Sequence, residues 1–347
     1  MLMSQIQPFV TVIMPIRNEE KFIRRSLGAV LTQDYPGDRI EVVIADGMST
    51  DQTRKQIKEL GTKYPDIPIT IVDNPEQIVP HGFNRALQVA KGEIIVRVDG
   101  HTIIEPDYVT QCVDALQRTG YDNVGGRMDA VGETVFAQAV ALATSSPFGV
   151  GGAKFHFSQK EELVDTVYMG AWHKSTFDKI GGFDERFIRS QDSEFNYRLR
   201  ANGGKILLSP KIKSKYYARS SVSKLWKQYY QYGYYKVQVI FRHPTQFRAR
   251  QLVPPAFILG LLGGALIAPF VPTLRNLWLV GLVLYIFGNM AFSLRIASRE
   301  GIQYLPGLLL VFPMLHFSWG LGFLDGLFNV VLRRRAPERY TPVLQDK

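Results

Sequence analysis

Over the first hundred residues, short apolar runs alternate with amphipathic stretches, and each run stops in polar residues. Residues 9–15 read as a buried strand that gives way to Arg17-Asn18-Glu19-Glu20. Phe22, Ile23, Leu27, Val30 and Leu31 then recur at helical spacing, before Gln33-Asp34-Tyr35-Pro36-Gly37 turns the chain. A second strand over 40–45 ends at Asp46-Gly47-Met48-Ser49-Thr50-Asp51, whose short polar side chains suit the start of a helix over 52–63. A third, over 69–72, ends at Asp73-Asn74-Pro75, and a helix beginning near Gly82 reaches Lys91-Gly92. The fourth, over 94–98, stops abruptly at Asp99-Gly100-His101. This β-α-β-α-β-α-β order predicts a parallel sheet with right-handed crossovers. Ligands collect at the carboxyl ends of such strands, so Asp46, Asp73 and Asp99 are expected to share one polar crevice.

Beyond His101 the pattern predicts a helix from Pro106-Asp107-Tyr108 to Thr119-Gly120, a short strand over 123–128 and a small-residue helix over 134–143. Residues 145–165 are rich in Gly and Phe without a period, and are expected to form a mobile loop hinged at Gly149, Gly151 and Gly152. A helix is expected to open at Ser190-Gln191-Asp192-Ser193-Glu194. Between 222 and 241, Leu225, Trp226, Tyr229, Tyr230, Gly233, Val237 and Ile240 recur every three or four residues, with Lys224, Lys227, Gln228, Gln231 and Gln238 around them. Such a helix suits the lipid interface, or else packs on the preceding domain. Arg250, Arg275 and Arg295 then bound two charge-free runs of about the twenty residues a spanning helix needs, and 305–323 supplies a third. Pro313, His316, Trp319 and Asp325 point to a broken, re-entrant or interfacial last segment. Three crossings would place Arg333-Arg334-Arg335 outside, against the positive-inside tendency, so topology stays open.

Charge sharpens this division. The chain of 347 residues carries a formal net charge of +10, and from Phe195 to Arg299 there is no Asp or Glu. A basic block running into apolar spans points to anionic lipid rather than nucleic acid. The N-terminus has no basic flank before an apolar run, hence no signal peptide is expected, and a lone Cys112 permits no internal disulfide. Both place the polar half in the cytoplasm, at a plasma or inner membrane. Expected divisions are a soluble α/β domain over 1–215, a basic amphipathic segment over 216–250, membrane helices over 251–332 and a basic tail over 333–347.

Neither Gly-x-Gly-x-x-Gly nor Gly-x-x-x-x-Gly-Lys follows a strand. A bound nucleotide would have its base held by side chains and its diphosphate by a metal. Asp99 and His101 sit two apart, with Gly100 letting backbone come close, and suit Mn²⁺ or Mg²⁺ on a diphosphate. The alternative is a strand-end turn capped by Asp99.

Together these residues resemble glycosyltransferase family 2, the inverting GT-A enzymes that use nucleotide-sugar donors. The likeness lies in Val12-Ile13-Met14-Pro15-Ile16-Arg17-Asn18-Glu19, in Asp46-Gly47-Met48-Ser49-Thr50-Asp51, and in Asn84, Ala86, Ala90, Gly92 and Glu93 before Asp99-Gly100-His101. It continues in Gly181-Gly182-Phe183-Asp184-Glu185 and Gln191-Asp192. Arg219-Ser220-Ser221, Gln228-Tyr229-Tyr230-Gln231-Tyr232-Gly233 and the apolar tail are similar to the family's succinoglycan-biosynthesis branch. Three departures stand out: His101 where Asp is commoner, Gln191 where Glu is frequent, and no Gln-x-x-Arg-Trp. The last puts processive synthesis in doubt and favours addition of one sugar at a time.

The resemblance implies a GT-A, Rossmann-like domain followed by an interfacial helix and membrane helices. It implies Asp192 as general base, where the alternative is a helix N-cap that Ser190 or Ser193 could equally supply. Asp46 would contact uracil or ribose, with Pro15, Arg17 and Glu19 walling the base, although Glu19 could simply favour a helix N-terminus. Asp73 would be a ligand or a turn carboxylate, and Asn84 would lie on the donor side. Arg219, Gln228 and Lys236 would complete the diphosphate site, or be solvated surface groups. Trp172 and His173 would line the acceptor pocket, or Trp172 would be core. The expected activity is transfer from a nucleotide sugar, by family a UDP-sugar, to a lipid-linked (polyprenyl-diphosphate) saccharide in exopolysaccharide or cell-surface glycan synthesis. The rivals are a polyprenyl-phosphate sugar synthase, a non-catalytic membrane protein binding a nucleotide sugar or lipid, and a nucleic-acid-binding protein.

Overall fold

The computed structural model describes residues 7–332. In chain order these form β1 (Val10–Ile16), α1 (Ile23–Leu31), β2 (Ile40–Asp46), α2 (Thr53–Lys63), β3 (Ile69–Asp73), α3 (Val79–Val89), β4 (Ile94–Arg97), β5 (Thr102–Ile104), α4 (Tyr108–Thr119) and β6 (Asn123–Val131). There follow α5 (Val135–Thr144), α6 (Pro147–Val150), β7 (Glu162–Leu163), β8 (Tyr168–His173), α7 (Lys174–Ile180), α8 (Gln191–Ala201), β9 (Ile206–Tyr217), α9 (Val222–Arg242), α10 (Val253–Ile267), α11 (Pro272–Glu300) and α12 (Leu305–Leu332). They divide into two units: one takes the chain up to Asp129 together with Lys154–Tyr216, the other Ala130–Ala153 and the chain from Tyr217.

The first unit is built on one sheet of order β3-β2-β1-β4-β8-β6-β9-β5, with β7 paired to β9. β1, β2 and β4 are buried at every position, because helices cover both faces; that is why they read as continuous apolar runs. Ile23 and Leu27 of α1, Ile57 of α2 and Cys112 of α4 pack on one face, and Phe83 of α3, Phe177 of α7 and Phe195 of α8 on the other. The expected parallel half is present. Ile16 pairs with Asp46 and Asp46 with Asp73, so these strand ends lie level, while β4 pairs with β1 through Ile13 and Arg97. The other half is antiparallel: β8 runs against β4 with Arg97 opposite Gly170 and Ile94 opposite His173.

The segment over 145–165, expected to be a loop, is loop with short elements in it, of which α6 lies in the second unit. Phe148 of α6 stacks on Phe292 at 4.5 Å and edges onto Phe312 at 4.9 Å. His316 Nε2 donates to the Phe148 carbonyl (2.7 Å), which leaves Nδ1 to accept from the Tyr285 hydroxyl (3.0 Å). Further along, in the first unit, β7 joins the sheet edge.

α12 is not broken, contrary to expectation. Its 28 residues run through Pro313 as one helix, about 42 Å at 1.5 Å per residue. Asp325, a source of that expectation, has its partners: the Tyr230 hydroxyl and the Asn329 amide donate to it, each at 2.9 Å. α9 spans the residues the pattern indicated but lies along α12 rather than standing alone. Small residues let the backbones meet, since a Cβ at Gly233 would fall 2.0 Å from the Trp319 carbonyl oxygen and one at Gly322 2.0 Å from that of Tyr230. Lys224, Trp226 and Lys227 stay exposed. Three helices, over Ala249–Ile267, Pro272–Glu300 and Ile302–Leu332, are long and apolar enough to cross a membrane. The basic tail over 333–347, with Arg333-Arg334-Arg335, lies outside the described residues.

Candidate active site

The site grows from the loops at the carboxyl ends of β1, β2 and β4. The loops after β1 and β2 are laced together: Asn18 N–H donates to Ser49 Oγ (2.9 Å), Thr50 N–H to Asn18 Oδ1 (2.9 Å) and Glu19 N–H to Thr53 Oγ1 (2.8 Å). Asp46 closes this turn. Its carboxylate is fully buried and accepts from Ser49 N–H, Ser49 Oγ and Arg54 Nε. Arg54 reaches on to Asp73, so one guanidinium joins the ends of β2 and β3. Asp46, the expected contact for uracil or ribose, is thus held inside the turn by Ser49 and Arg54, while the carboxylate of Asp73 at the neighbouring strand end is exposed. Pro15 is likewise buried within β1, while Arg17 is exposed with its stem over Gly47.

One strand to the other side of β1, Asp99 and His101 follow β4. Glu19 Oε1 lies 3.1 Å from His101 Nδ1, which fixes the ring and leaves Nε2 as its other nitrogen. Gly100 is required by this approach, because a Cβ there would sit 2.9 Å from both Glu19 Cγ and Ile16 Cγ2. Among the described residues no three His, Cys, Asp or Glu side chains converge on one point. Asp99 and His101 therefore fit an ion that brings ligands of its own, such as diphosphate oxygens, and not one caged by protein.

The chemistry centres on Arg97, buried at the end of β4. Its Nε donates to Asp99 Oδ1 (2.8 Å), its Nη1 donates to Asp192, and its guanidinium lies 5.8 Å from the Phe183 ring centroid. Tyr168 OH approaches Asp99 Oδ2 (3.4 Å) and Thr102 Oγ1 (2.7 Å). Asp192 lies in the first turn of α8, not at its N-cap, which is Ser190 in a left-handed conformation. Burial pushes the Asp192 carboxyl above its ordinary 3.8; Arg97 opposes that shift and the charge of Asp99 adds to it. α8 is pinned beneath by Glu194 and Arg198, both buried: Arg198 Nε and Nη2 hold the Glu194 carboxylate at 2.8 and 3.0 Å, and its guanidinium also caps the carbonyls of Ile180 and Gly182. Asn18, Met48, Met169 and Ser190 all take positive φ in the segments around these groups, as strained backbone tends to at working sites.

Other expected site residues lie elsewhere. Trp172 is 2% exposed amid Phe83, Phe177, Phe183 and Phe195, so it is core and lines no acceptor pocket. His173 pairs with Ile94 at the start of β4, the end remote from Asp99. The Asn84 amide clamps Phe183, donating to its carbonyl (2.8 Å) and accepting from its N–H (2.9 Å), so it shapes the turn before α8. Arg219, Gln228 and Lys236 belong to the second unit, where Arg219 Nε donates to Gln228 Oε1 (3.3 Å). Arg54, Arg97 and Tyr168 were not among the expected residues. For Arg97 the signal was present: a cation inside an apolar strand needs a buried partner.

A mixed sheet with an acidic edge at its parallel strand ends, crossed by a carboxylate from α8, defines a GT-A sugar-transfer domain. The family model described as Glycosyl transferase family 2 matches residues 11–181. Over 333 residues the chain is 32% identical to the dolichyl N-acetyl-alpha-D-glucosaminyl phosphate 3-beta-D-2,3-diacetamido-2,3-dideoxy-beta-D-glucuronosyltransferase of Methanococcus voltae, covering 92% of this chain and 98% of that protein. It is 28% identical to the succinoglycan biosynthesis protein ExoA of Rhizobium meliloti (strain 1021), over 94% of this chain and 96% of that one. Among solved structures, the mannosyltransferase PcManGT of Pyrobaculum calidifontis, in complex with GDP-Man and Mn²⁺, shares the fold with a TM-score of 0.66 at 20% identity, over 93% and 88% of the two chains. The chain belongs to glycosyl transferase family 2 and is a glycosyltransferase.

Proposed function

We propose that this protein is a membrane-bound inverting glycosyltransferase that moves one sugar from a nucleoside-diphosphate donor to a lipid-linked saccharide, with its α/β domain on the cytoplasmic side. The observation that carries this is the Asp99–Arg97–Asp192 set, which puts a donor-side carboxylate and a base candidate on one buried guanidinium. The lipid-linked acceptor is supported by the Methanococcus relative, whose name specifies a dolichyl-linked substrate, and by the three long apolar helices. Exposed Lys224 and Lys227 beside Trp226 suit an anionic lipid surface.

In this reading Asp192 takes the proton of the acceptor hydroxyl as its oxygen forms a bond to the anomeric carbon, and the bond to the nucleoside diphosphate breaks on the opposite face. The raised carboxyl of Asp192 brings it nearer to the working range of a general base. Asp73, Arg54 and Arg17 offer polar contacts for the nucleoside. Asp99 and His101 would hold Mn²⁺ or Mg²⁺, which when bound neutralises charge on the departing diphosphate.

The test uses detergent-purified full-length protein, Mn²⁺ or Mg²⁺, a panel of UDP- and GDP-sugars, and a polyprenyl-diphosphate-linked saccharide. Asp192→Asn should bind donor as the parent does, seen as an equal thermal shift, yet lose transfer by roughly 10²–10⁴-fold. Full transfer by that variant would remove Asp192 from the role.

A further inference from the structure

Arg97 is a cation inside an otherwise apolar strand, 3% exposed, and its fork is divided between two carboxylates from distant parts of the sequence. A surface ion pair would hold neither in place; a buried guanidinium with an aromatic ring at its face is fixed by its surroundings. We propose that Arg97 is a positioning residue for transfer: it aims the Asp192 carboxylate and keeps it from turning away from Asp99, whose like charge shares the same pocket. This deepens the reading above and rests on Asp192 being the base.

The physical case has two parts. Asp192 sits in the first turn of a helix whose opening residue is strained, so backbone alone does not set its χ angles; among the hydrogen bonds to its side chain, the one from Arg97 Nη1 does. And two half-buried carboxylates that share one pocket repel each other less while the buried Arg97 cation stays between them. Lysine retains the charge but reaches as a single point, so it can satisfy one carboxylate and not both.

The experiment is a double-mutant cycle on the full-length protein in detergent, comparing Arg97→Gln, Arg97→Lys, Asp192→Asn and the paired variants for kcat, acceptor KM and donor Kd. Arg97→Gln should lower kcat by about tenfold or more while donor Kd moves less than about threefold, and Arg97→Lys should recover part of that loss. Adding Arg97→Gln to Asp192→Asn should cost nothing further, because the residue it aims is already disabled. If Arg97→Gln does not yield folded protein, Arg97→Lys takes its place in the same cycle. Parental kcat in the Arg97 variants alongside an inactive Asp192→Asn would overturn the positioning role alone, as would losses that multiply in the paired variant. Full transfer by Asp192→Asn would overturn the base assignment and this proposal with it.

Discussion

Two half-buried titratable residues respond to pH in opposite senses. The upward shift of Asp192 means that the base is lost by protonation at a higher pH than an ordinary aspartate. The acidic limb of kcat/KM should therefore lie above 3.8, the ordinary value, and a limb at or below it would show that another group is being titrated. His156 is the reverse case. Burial lowers its imidazole to about 4, so the fold favours the neutral ring. That contribution to stability is complete above the ordinary 6.5 and is lost as pH falls toward about 4. Melting curves between those limits should show a shallower acid slope for His156→Gln than for the parent. At this scale the sequence was most legible where chemistry met a strand end, as at Asp99 and His101. It was least legible for side chains whose partners lie far along the chain: Asn84 meets Phe183, and Tyr168 meets Asp99, through register alone.

Among the elements, the parallel half of the sheet could be read because its strands are buried on both faces and each stops in a polar turn. Of the antiparallel half only β6 could, as the strand over 123–128; β5 and β7 are too short to carry a period and take their places from pairing with β9. α8 was visible as a helix, but not the anchor beneath it. Glu194 is wholly buried against Arg198, and removing one partner strands a charge; Arg198→Met should cost about 3–5 kcal/mol, read by chemical denaturation. A loss below about 1 kcal/mol would mean that the pair is dispensable. The apolar helices were found by length, whereas the α9–α12 contact depends on glycines whose role no periodicity reveals. Gly233→Leu would drive a side chain into the Trp319 carbonyl and should lower the melting temperature of the detergent-solubilised chain, while the same change at Gly260, where a Cβ meets nothing within 4 Å, should be tolerated.

For the molecule as a whole, α10 and α11 leave large apolar side chains exposed, among them Leu262, Leu266, Leu277 and Phe287. Soluble proteins seldom expose so much contiguous apolar surface, and lipid is the solvent that suits it. The full chain should stay with membranes through alkaline carbonate extraction and leave them only with detergent; release by carbonate alone would argue against spanning helices.

The path of the chain between its two units has a consequence for biosynthesis. α5 and α6 emerge early, yet Ala139, Val140 and Ala143 of α5 find their packing partners in Leu308, Phe312 and Leu315 of α12. Meanwhile β9 supplies the strand between β6 and β5, so the sheet is incomplete until translation has passed Tyr217. A ribosome that pauses before α12 would thus hold out a finished sheet while α5 still lacks most of the apolar cluster that covers it, and α5 is where a chaperone or an insertase would have to wait.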